Sequence, residues 1–247
     1  MDELSPILLT HYSKRFYGYG SGRAKLWFVG MEEAGGKTIE DVASRLRTWE
    51  SRRPKNGLLD LKAFHIARGE TRWHNNQRQL QPTWKQLIRM HRLAYGQGDS
   101  LDEMVDFQQS SFGSINGETC VIELLPLPSP SLKVWHYSAW SKIPWLASRE
   151  EYTAHLLQRR ITDIQKAIKK YQPAVVVCYG STWLPRWRLL SRSNFGQAIN
   201  GQLMSSVQDG VTYYVVRHPV RESDAHFRQI GMYLRARHQT ALCPNQS

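Results

Sequence analysis

The fold is decided by the stretch LWFVGMEEAGG, residues 26–36. Leu26 to Val29 form an apolar run with the length of one buried strand, and glycines and acids follow it. In an open α/β sheet, ligands bind beyond the carboxyl ends of the strands. Because Glu32 and Glu33 come just after Gly30, where this strand ends, we expect the two carboxylates in an active-site loop. The same residues also suit a solvated loop between a strand and a helix.

Strand and helix patterns alternate along the rest of the chain. The run AVVVCYG (174–180) is almost wholly apolar, which is typical of a parallel strand covered on both faces. Such alternation predicts a three-layer α/β/α doubly wound domain with a mostly parallel central sheet. Helices are predicted at residues 38–50, 82–95, 150–171, 182–191 and 222–238, and strands at 26–29, 119–127, 174–180 and on both sides of the Asp209-Gly210 turn.

Length and composition narrow the class of protein. The 247 residues are enough to bury a core, and no apolar run approaches a membrane span. The N-terminus lacks the basic start and apolar core of a signal peptide, so we expect a cytoplasmic protein. We also expect a monomer. The three cysteines form no C-x-x-C pair and the nine histidines show no metal-ligand spacing, so no metal or other cofactor is predicted.

The charge of the chain points to a polyanionic partner. The formal net charge is +12 and the isoelectric point is about 9.8. Cations near phosphates release condensed counterions, and the nine tryptophans could stack on bases. We therefore predict that the protein binds DNA and associates with the nucleoid. The alternative is a merely basic surface around core tryptophans.

A P-loop is excluded by spacing. Gly36-Lys37-Thr38 resembles the end of that motif, but Met31 stands where its first glycine is required. Glu32 and Glu33 would also repel phosphate from the loop. A nucleoside triphosphatase is therefore not predicted.

Three strand ends together resemble the uracil-DNA glycosylase superfamily. They are Gly30-Met31-Glu32-Glu33, Glu123-Leu124-Leu125-Pro126 and Arg217-His218-Pro219. Their order is similar to the acid-bearing first loop, the base-reading strand end and the late histidine-proline motif of that family. The resemblance implies a single domain of that fold over residues 1–247. It also implies a monofunctional DNA glycosylase, which hydrolyses the bond between a base and deoxyribose.

The resemblance implies roles for three side chains. Cleavage develops positive charge on the sugar and negative charge on the departing base. A carboxylate near the sugar can stabilise the cation or activate water, and Glu32 is the first choice for this role, with Glu33 second. His218 is expected to donate a hydrogen bond to the base carbonyl.

The second motif departs from the family pattern. Glu123 stands where the family usually has asparagine, and an ionised glutamate only accepts hydrogen bonds. An acceptor suits the amino group of cytosine and opposes O4 of uracil. We therefore expect a modified, cytosine-like base. An enzyme for such a base would serve repair or defence against phage.

Further residues are candidates for contacts with DNA. The flipped base could stack on an aromatic side chain, and the segment after His218 could probe the duplex. The candidates are Phe64, Trp73 and Trp135 for stacking, Arg217 and Arg221 for the duplex, with Arg221 as the wedge, and Ser129, Ser131 and Lys133 for phosphate.

Three other functions remain open at this point. A non-catalytic nucleic-acid-binding protein on the same fold would have the same charge and tryptophans. A hydrolase of free nucleotides or nucleosides would use the basic surface for phosphate. A uracil-excising repair enzyme would keep the usual specificity of the family.

Overall fold

The computed structural model describes residues 3–54, 56–75 and 79–243. Their strands form one sheet, with the spatial order β3-β1-β4-β2-β5-β8-β7-β6. The strands in chain order are β1 (Gly18–Gly20), β2 (Leu26–Gly30), β3 (Leu58–Leu59), β4 (Thr119–Glu123), β5 (Val175–Tyr179), β6 (Gly196–Ile199), β7 (Leu203–Gln208) and β8 (Val211–Val216).

Helices flank this sheet, and several begin at side-chain caps. Thr38, Ser148 and Ser223 each accept a hydrogen bond from the backbone N–H three residues later. The helices are α1 (Pro6–Arg15), α2 (Ile39–Arg52), α3 (Leu61–Ala67), α4 (Pro82–Ala94), α5 (Leu101–Ser110), α6 (Tyr137–Trp140), α7 (Arg149–Tyr171), α8 (Leu184–Ser191) and α9 (Asp224–Leu242), with 3₁₀ turns at Pro144–Leu146, Ser181–Trp183 and Pro219–Arg221.

The middle of the sheet is parallel. β4, β2, β5 and β8 are neighbours and run in the same direction, and every residue of β2, β4 and β5 is buried. Antiparallel pairing is confined to the flanks, between β1 and β4 on one side and through β6, β7 and β8 on the other. The predicted α/β class with a mostly parallel sheet and flanking helices is therefore confirmed.

Ring contacts show which helices cover each face. Trp27 of β2 lies 6.1 Å from the Tyr171 ring at the end of α7. Tyr214 of β8 contacts Tyr233 of α9 on the opposite face, and its hydroxyl lies 2.7 Å from Nε2 of His238. α4 lies against α9, where Lys85, Gln86 and Arg89 of α4 donate to the Asp224 carboxylate of α9. Both faces of the central strands are thus covered.

Most predicted elements are observed, but one strand is shorter than predicted. The apolar run 119–127 continues as a strand only to Glu123. Beyond it, Leu124 and Leu125 are buried in a loop whose backbone N–H groups bond Gly30 and Met31. The run is therefore apolar because the loop is buried. The hairpin predicted at Asp209-Gly210 is confirmed, with β7 and β8 antiparallel on its two sides.

Other elements carry weak local signals and were not predicted. They are α1, α3, α6, β1, β3 and β6. α5 was also not predicted, although its capping box at Ser100 is a usable local signal. No helix in the described part of the chain is long and apolar enough to span a membrane.

Candidate functional site

The carboxyl ends of the four central strands bring the predicted groups to one edge of the sheet. β2 leads into Glu32 and Glu33, β4 ends at Glu123, β5 ends at Tyr179, and His218 follows β8 by two residues. Neighbouring strands lie about 4.8 Å apart, so side chains at the ends of adjacent strands are within reach of each other. We call these five residues the carboxyl-edge cluster.

Glu123 and Tyr179 form the buried part of the carboxyl-edge cluster. Glu123 is 4% exposed, and the Tyr179 hydroxyl donates to its Oε1 at 3.3 Å. Gly30 makes room for this pair, since a Cβ there would lie 2.1 Å from the Tyr179 hydroxyl. The Tyr179 ring also lies edge-on to the His218 ring, with centroids 6.0 Å apart. The other carboxyl oxygen, Oε2, has no hydrogen-bond partner within the described residues.

Glu32 is held by an arginine from a distant helix. Both of its carboxylate oxygens accept from Nη1 of Arg149, at 2.7 and 2.8 Å. The other guanidinium nitrogen, Nη2, donates to the Ser129 hydroxyl at 2.5 Å and to the carbonyls of Ser131 and Val134 at 3.0 Å. One side chain therefore links the loop of Glu32 to the loop at residues 129–134.

Glu33 has a separate partner. Its Oε2 forms an ion pair with Arg45 of α2, and Arg45 also donates to the Tyr19 hydroxyl at 3.2 Å. Glu33 therefore turns toward α2 and β1, whereas Glu32 turns toward α7. The two adjacent acids face different arginines.

The surroundings of Glu123 shift its ionisation toward the neutral acid. Burial raises its pKa well above the usual value, and the nearby carboxylates of Glu33 and Glu32 raise the pKa further. The hydrogen bond from Tyr179 and the charge of Arg45 oppose these effects without cancelling them. The neutral acid is thus favoured over the ionised form. Because a neutral acid both donates and accepts, hydrogen bonding at this residue alone does not favour cytosine over uracil.

His218 is arranged as a neutral hydrogen-bond donor. Burial lowers its pKa, and the charge of Arg221 lowers the pKa further. The backbone N–H of Val220 donates to Nδ1 at 3.4 Å. Since Nδ1 accepts, the proton of the neutral ring belongs on Nε2. Nε2 can therefore donate to a ligand.

The three aromatic candidates for base stacking differ in exposure. Phe64 is 0% exposed and belongs to the core, so it offers no face to a base. Trp135 is half-buried, packs against the core and carries the guanidinium of Arg149 over its ring at 5.0 Å. Trp73 is also half-buried, with Arg72 over its ring at 4.4 Å. Phe64 is thus wrong as a stacking residue, while the roles of the tryptophans stay predictions.

The residues predicted to contact DNA differ in whether they are exposed. The Ser129 hydroxyl is buried and used within the protein, since its single O–H is shared between the carbonyls of Ser131 and Val134 and its oxygen accepts from Arg149. It is not available to phosphate in this structure. The remaining candidates Ser131, Lys133, Arg217 and Arg221 are exposed, and Arg217 is paired with Glu222 at 2.6 Å.

Tyr179, Arg149 and Arg45 were not identified from the sequence. Tyr179 had a usable signal, because it is a polar group at the last position of an apolar strand. Arg149 had none, since it lies 117 residues from Glu32. Across residues 3–54, 56–75 and 79–243, no three His, Cys, Asp or Glu side chains are grouped to hold a metal ion.

The chain matches no family model, no curated protein and no solved structure. The roles of the residues in the carboxyl-edge cluster are therefore inferred from their chemistry and geometry.

Proposed function

We propose that this protein is a DNA glycosylase that hydrolyses the bond between deoxyribose and a flipped-out pyrimidine-type base. The observation that carries the proposal is the carboxyl-edge cluster. It combines two acids, a buried carboxyl with an unpartnered oxygen and a neutral imidazole at the ends of neighbouring strands. Hydrolysis of a glycosidic bond can use a carboxylate at the sugar, a polar group that recognises the base and a donor to the base carbonyl.

The acids suit the sugar side of the reaction. As the bond from C1′ to the base nitrogen breaks, the electron pair leaves with the base and positive charge develops on the sugar. Water then adds to C1′, and a carboxylate takes its proton. Glu32 remains the first candidate and Glu33 the second, and each is held at the carboxyl edge by its own arginine.

His218 suits the base side. A neutral Nε2–H donor stabilises the carbonyl oxygen of the base as negative charge develops there. Loss of one such donor in other enzymes costs a factor of about 10²–10³ in rate. The nearby 3₁₀ turn carries Arg221, which is exposed and is our candidate for the residue that enters the duplex.

Glu123 suits recognition of a pyrimidine edge. In the neutral acid, Oε2 can donate while Oε1, which already accepts from Tyr179, can accept once more. This pair matches O4 and N3–H of uracil, and equally N3 and the amino group of cytosine. A modified cytosine therefore remains a candidate and uracil becomes an equal one. Repair and defence against phage both remain compatible with the site.

The proposal is tested by base release from matched oligonucleotides that contain uracil, cytosine or a 5-substituted cytosine. The variants are Glu32→Gln, Glu33→Gln and His218→Ala. Glu103→Gln serves as a control, because Glu103 of α5 pairs with Arg92 of α4 and is not part of the carboxyl-edge cluster. We expect the wild type and the control to release one of the altered bases. The site variants should lose release while they keep DNA binding.

Other outcomes select the alternatives. DNA binding without release of any base would support the non-catalytic binder. Release from free nucleosides or nucleotides, but not from oligonucleotides, would support a nucleoside or nucleotide hydrolase. Release that is unchanged in all three site variants would contradict the assignment of the site.

A further inference from the structure

We propose that Arg149 is a positioning residue of this site, which fixes the Glu32 carboxylate and locks the loop of Glu32 to the loop at residues 129–134. Its catalytic meaning rests on the proposed function. Its effect on Glu32 itself can be measured without any substrate.

The contacts of Arg149 leave it little freedom. Nη1 binds both oxygens of Glu32, and Nη2 binds the Ser129 hydroxyl and two backbone carbonyls. The guanidinium plane also lies over the Trp135 ring at 5.0 Å. Arg149 is the first residue of α7, directly after the capping Ser148, so its backbone is fixed as well. A planar fork with this many acceptors holds one geometry, which a lysine cannot reproduce.

The two loops that Arg149 joins are also paired through their backbones. Ser129 N–H donates to the Glu33 carbonyl at 3.1 Å, and Gly35 N–H donates to the Ser129 carbonyl at 3.3 Å. Ala34 and Ser129 form a parallel bridge. The side chain of Arg149 therefore braces a junction that already exists, and it sets where Glu32 points within it.

Charge gives Arg149 a second effect. Burial raises the pKa of Glu32, while the charge and hydrogen bonds of Arg149 and the charge of Arg186 lower it. Glu123 and Tyr152 also face Glu32, but both favour their neutral forms. Without Arg149, burial is opposed mainly by Arg186, and the neutral form of Glu32 gains. Only the ionised form can take a proton from water or stabilise a cation.

The test compares Arg149→Met and Arg149→Lys with the wild type. The first measurement is an NMR titration of ¹³C-labelled glutamate carboxyls, in which Glu32→Gln identifies the Glu32 signal. We expect Arg149→Met to raise the pKa of Glu32 by about one unit or more, a tenfold change in its ionisation equilibrium. Arg149→Lys keeps the charge and should shift the pKa less.

The second measurement is single-turnover base release against pH, on whichever oligonucleotide the wild type cleaves. In Arg149→Met the acid limb should move to higher pH by the same amount, with DNA affinity within about threefold of the wild type. Arg149→Lys should slow release at every pH, by up to about 10² if Glu32 is displaced by 1 Å. Arg89→Met is the matched control, because Arg89 pairs with Asp99 and Asp224 between α4 and α9. Arg89→Met should leave both the titration of Glu32 and the pH dependence of base release unchanged.

An unchanged pKa of Glu32 in Arg149→Met would overturn the inference. So would an active wild type whose rate and pH profile survive in both variants. A wild type that releases no base, together with the expected shift of Glu32, would instead refute the proposed function and leave the bracing role of Arg149 intact. If Arg149→Met does not fold, the pKa of Glu32 is measured in Arg149→Gln instead.

Discussion

Glu123 shows how the meaning of a residue depends on its neighbours. From the sequence it is a glutamate at a strand end, and the natural assumption is that it is ionised. In the structure it is buried beside two other carboxylates, so the neutral acid is favoured. Neither Glu32 nor Glu33 is near it in sequence, and no local pattern reveals that they meet. The strand-end position of Glu123 was therefore readable from the sequence, whereas the surroundings that raise its pKa were not.

The charge of Glu123 has a consequence for stability. Because its pKa is raised in the folded protein, its contribution to stability is full at low pH and is lost as pH rises through the folded pKa. Glu123→Gln keeps the shape and cannot ionise. We expect the variant to gain stability relative to the wild type as pH rises from the ordinary pKa of glutamate toward the raised pKa of Glu123, by about 1.4 kcal/mol per pH unit in that window, and to gain nothing further above it. Thermal unfolding at about pH 5, 7 and 9 measures this; a difference that is constant or falls with pH would contradict it.

His218 should matter for chemistry and little for binding. His218→Ala removes the donor at the base, so base release should fall by a factor of about 10²–10³. His155 on α7 is exposed and stacks on Trp145, so His155→Ala is a matched control that should keep full activity. Single-turnover rates and DNA affinity are the measurements. An equal loss in both variants would show that His218 has no special role.

At the scale of elements, the clasp between α4 and α9 makes a further prediction. Asp224 accepts from Lys85 at 2.8 Å, Gln86 at 2.8 Å and Arg89 at 3.0 Å. Burial tends to raise its pKa, but these bonds and charges lower the pKa to about 2. Its contribution to stability is therefore present above the ordinary pKa of aspartate and is lost as pH falls toward 2.

Asp224→Asn should reduce the free energy of unfolding by about 1 kcal/mol near neutral pH, a modest value because the carboxylate is partly exposed and screened. The deficit should shrink toward about pH 3, because the unfolded state of the wild type takes up a proton there while the folded Asp224 carboxylate stays charged. Urea unfolding at both pH values measures it. A deficit that grows on acidification would contradict the clasp.

The elements that could be predicted are those with strong local patterns. α7 was expected at residues 150–171 and is observed at Arg149–Tyr171, since its apolar stripe and cap are local. β1 could not be predicted, because Gly18-Tyr19-Gly20 forms a strand only by pairing with β4 and β3. α5 has a capping box at Ser100, which marks the start of this helix in the sequence. β1 therefore depends on tertiary pairing, whereas α5 has a local signal.

At the scale of the whole molecule, the order of the strands assembles the site. Because β4, β2, β5 and β8 are parallel neighbours, segments far apart in sequence deliver their side chains to one edge. The three strand-end motifs therefore lie at one edge of the sheet. Arg149, which holds Glu32, lies 117 residues away from it in the sequence and could not be predicted as its partner.

The net charge of +12, a property of the whole molecule, predicts how DNA binding depends on salt concentration. If the partner is DNA, binding should weaken steeply with salt, by a factor of about 10³–10⁵ between 50 and 200 mM for six to ten phosphate contacts. Fluorescence anisotropy of a labelled duplex at several salt concentrations measures the slope. Affinity that does not change with salt would exclude phosphate as the main contact.

The most direct measurement is mass spectrometry of free bases released from one pool of oligonucleotides, which carries uracil, cytosine and 5-substituted cytosines. The wild type is compared with the combined variant Glu32→Gln/Glu33→Gln. We predict that the wild type releases a single class of pyrimidine, and that the variant binds the same DNA and releases none. Equal release by both proteins, or release by neither, would contradict the claim that the carboxyl-edge cluster cleaves the glycosidic bond.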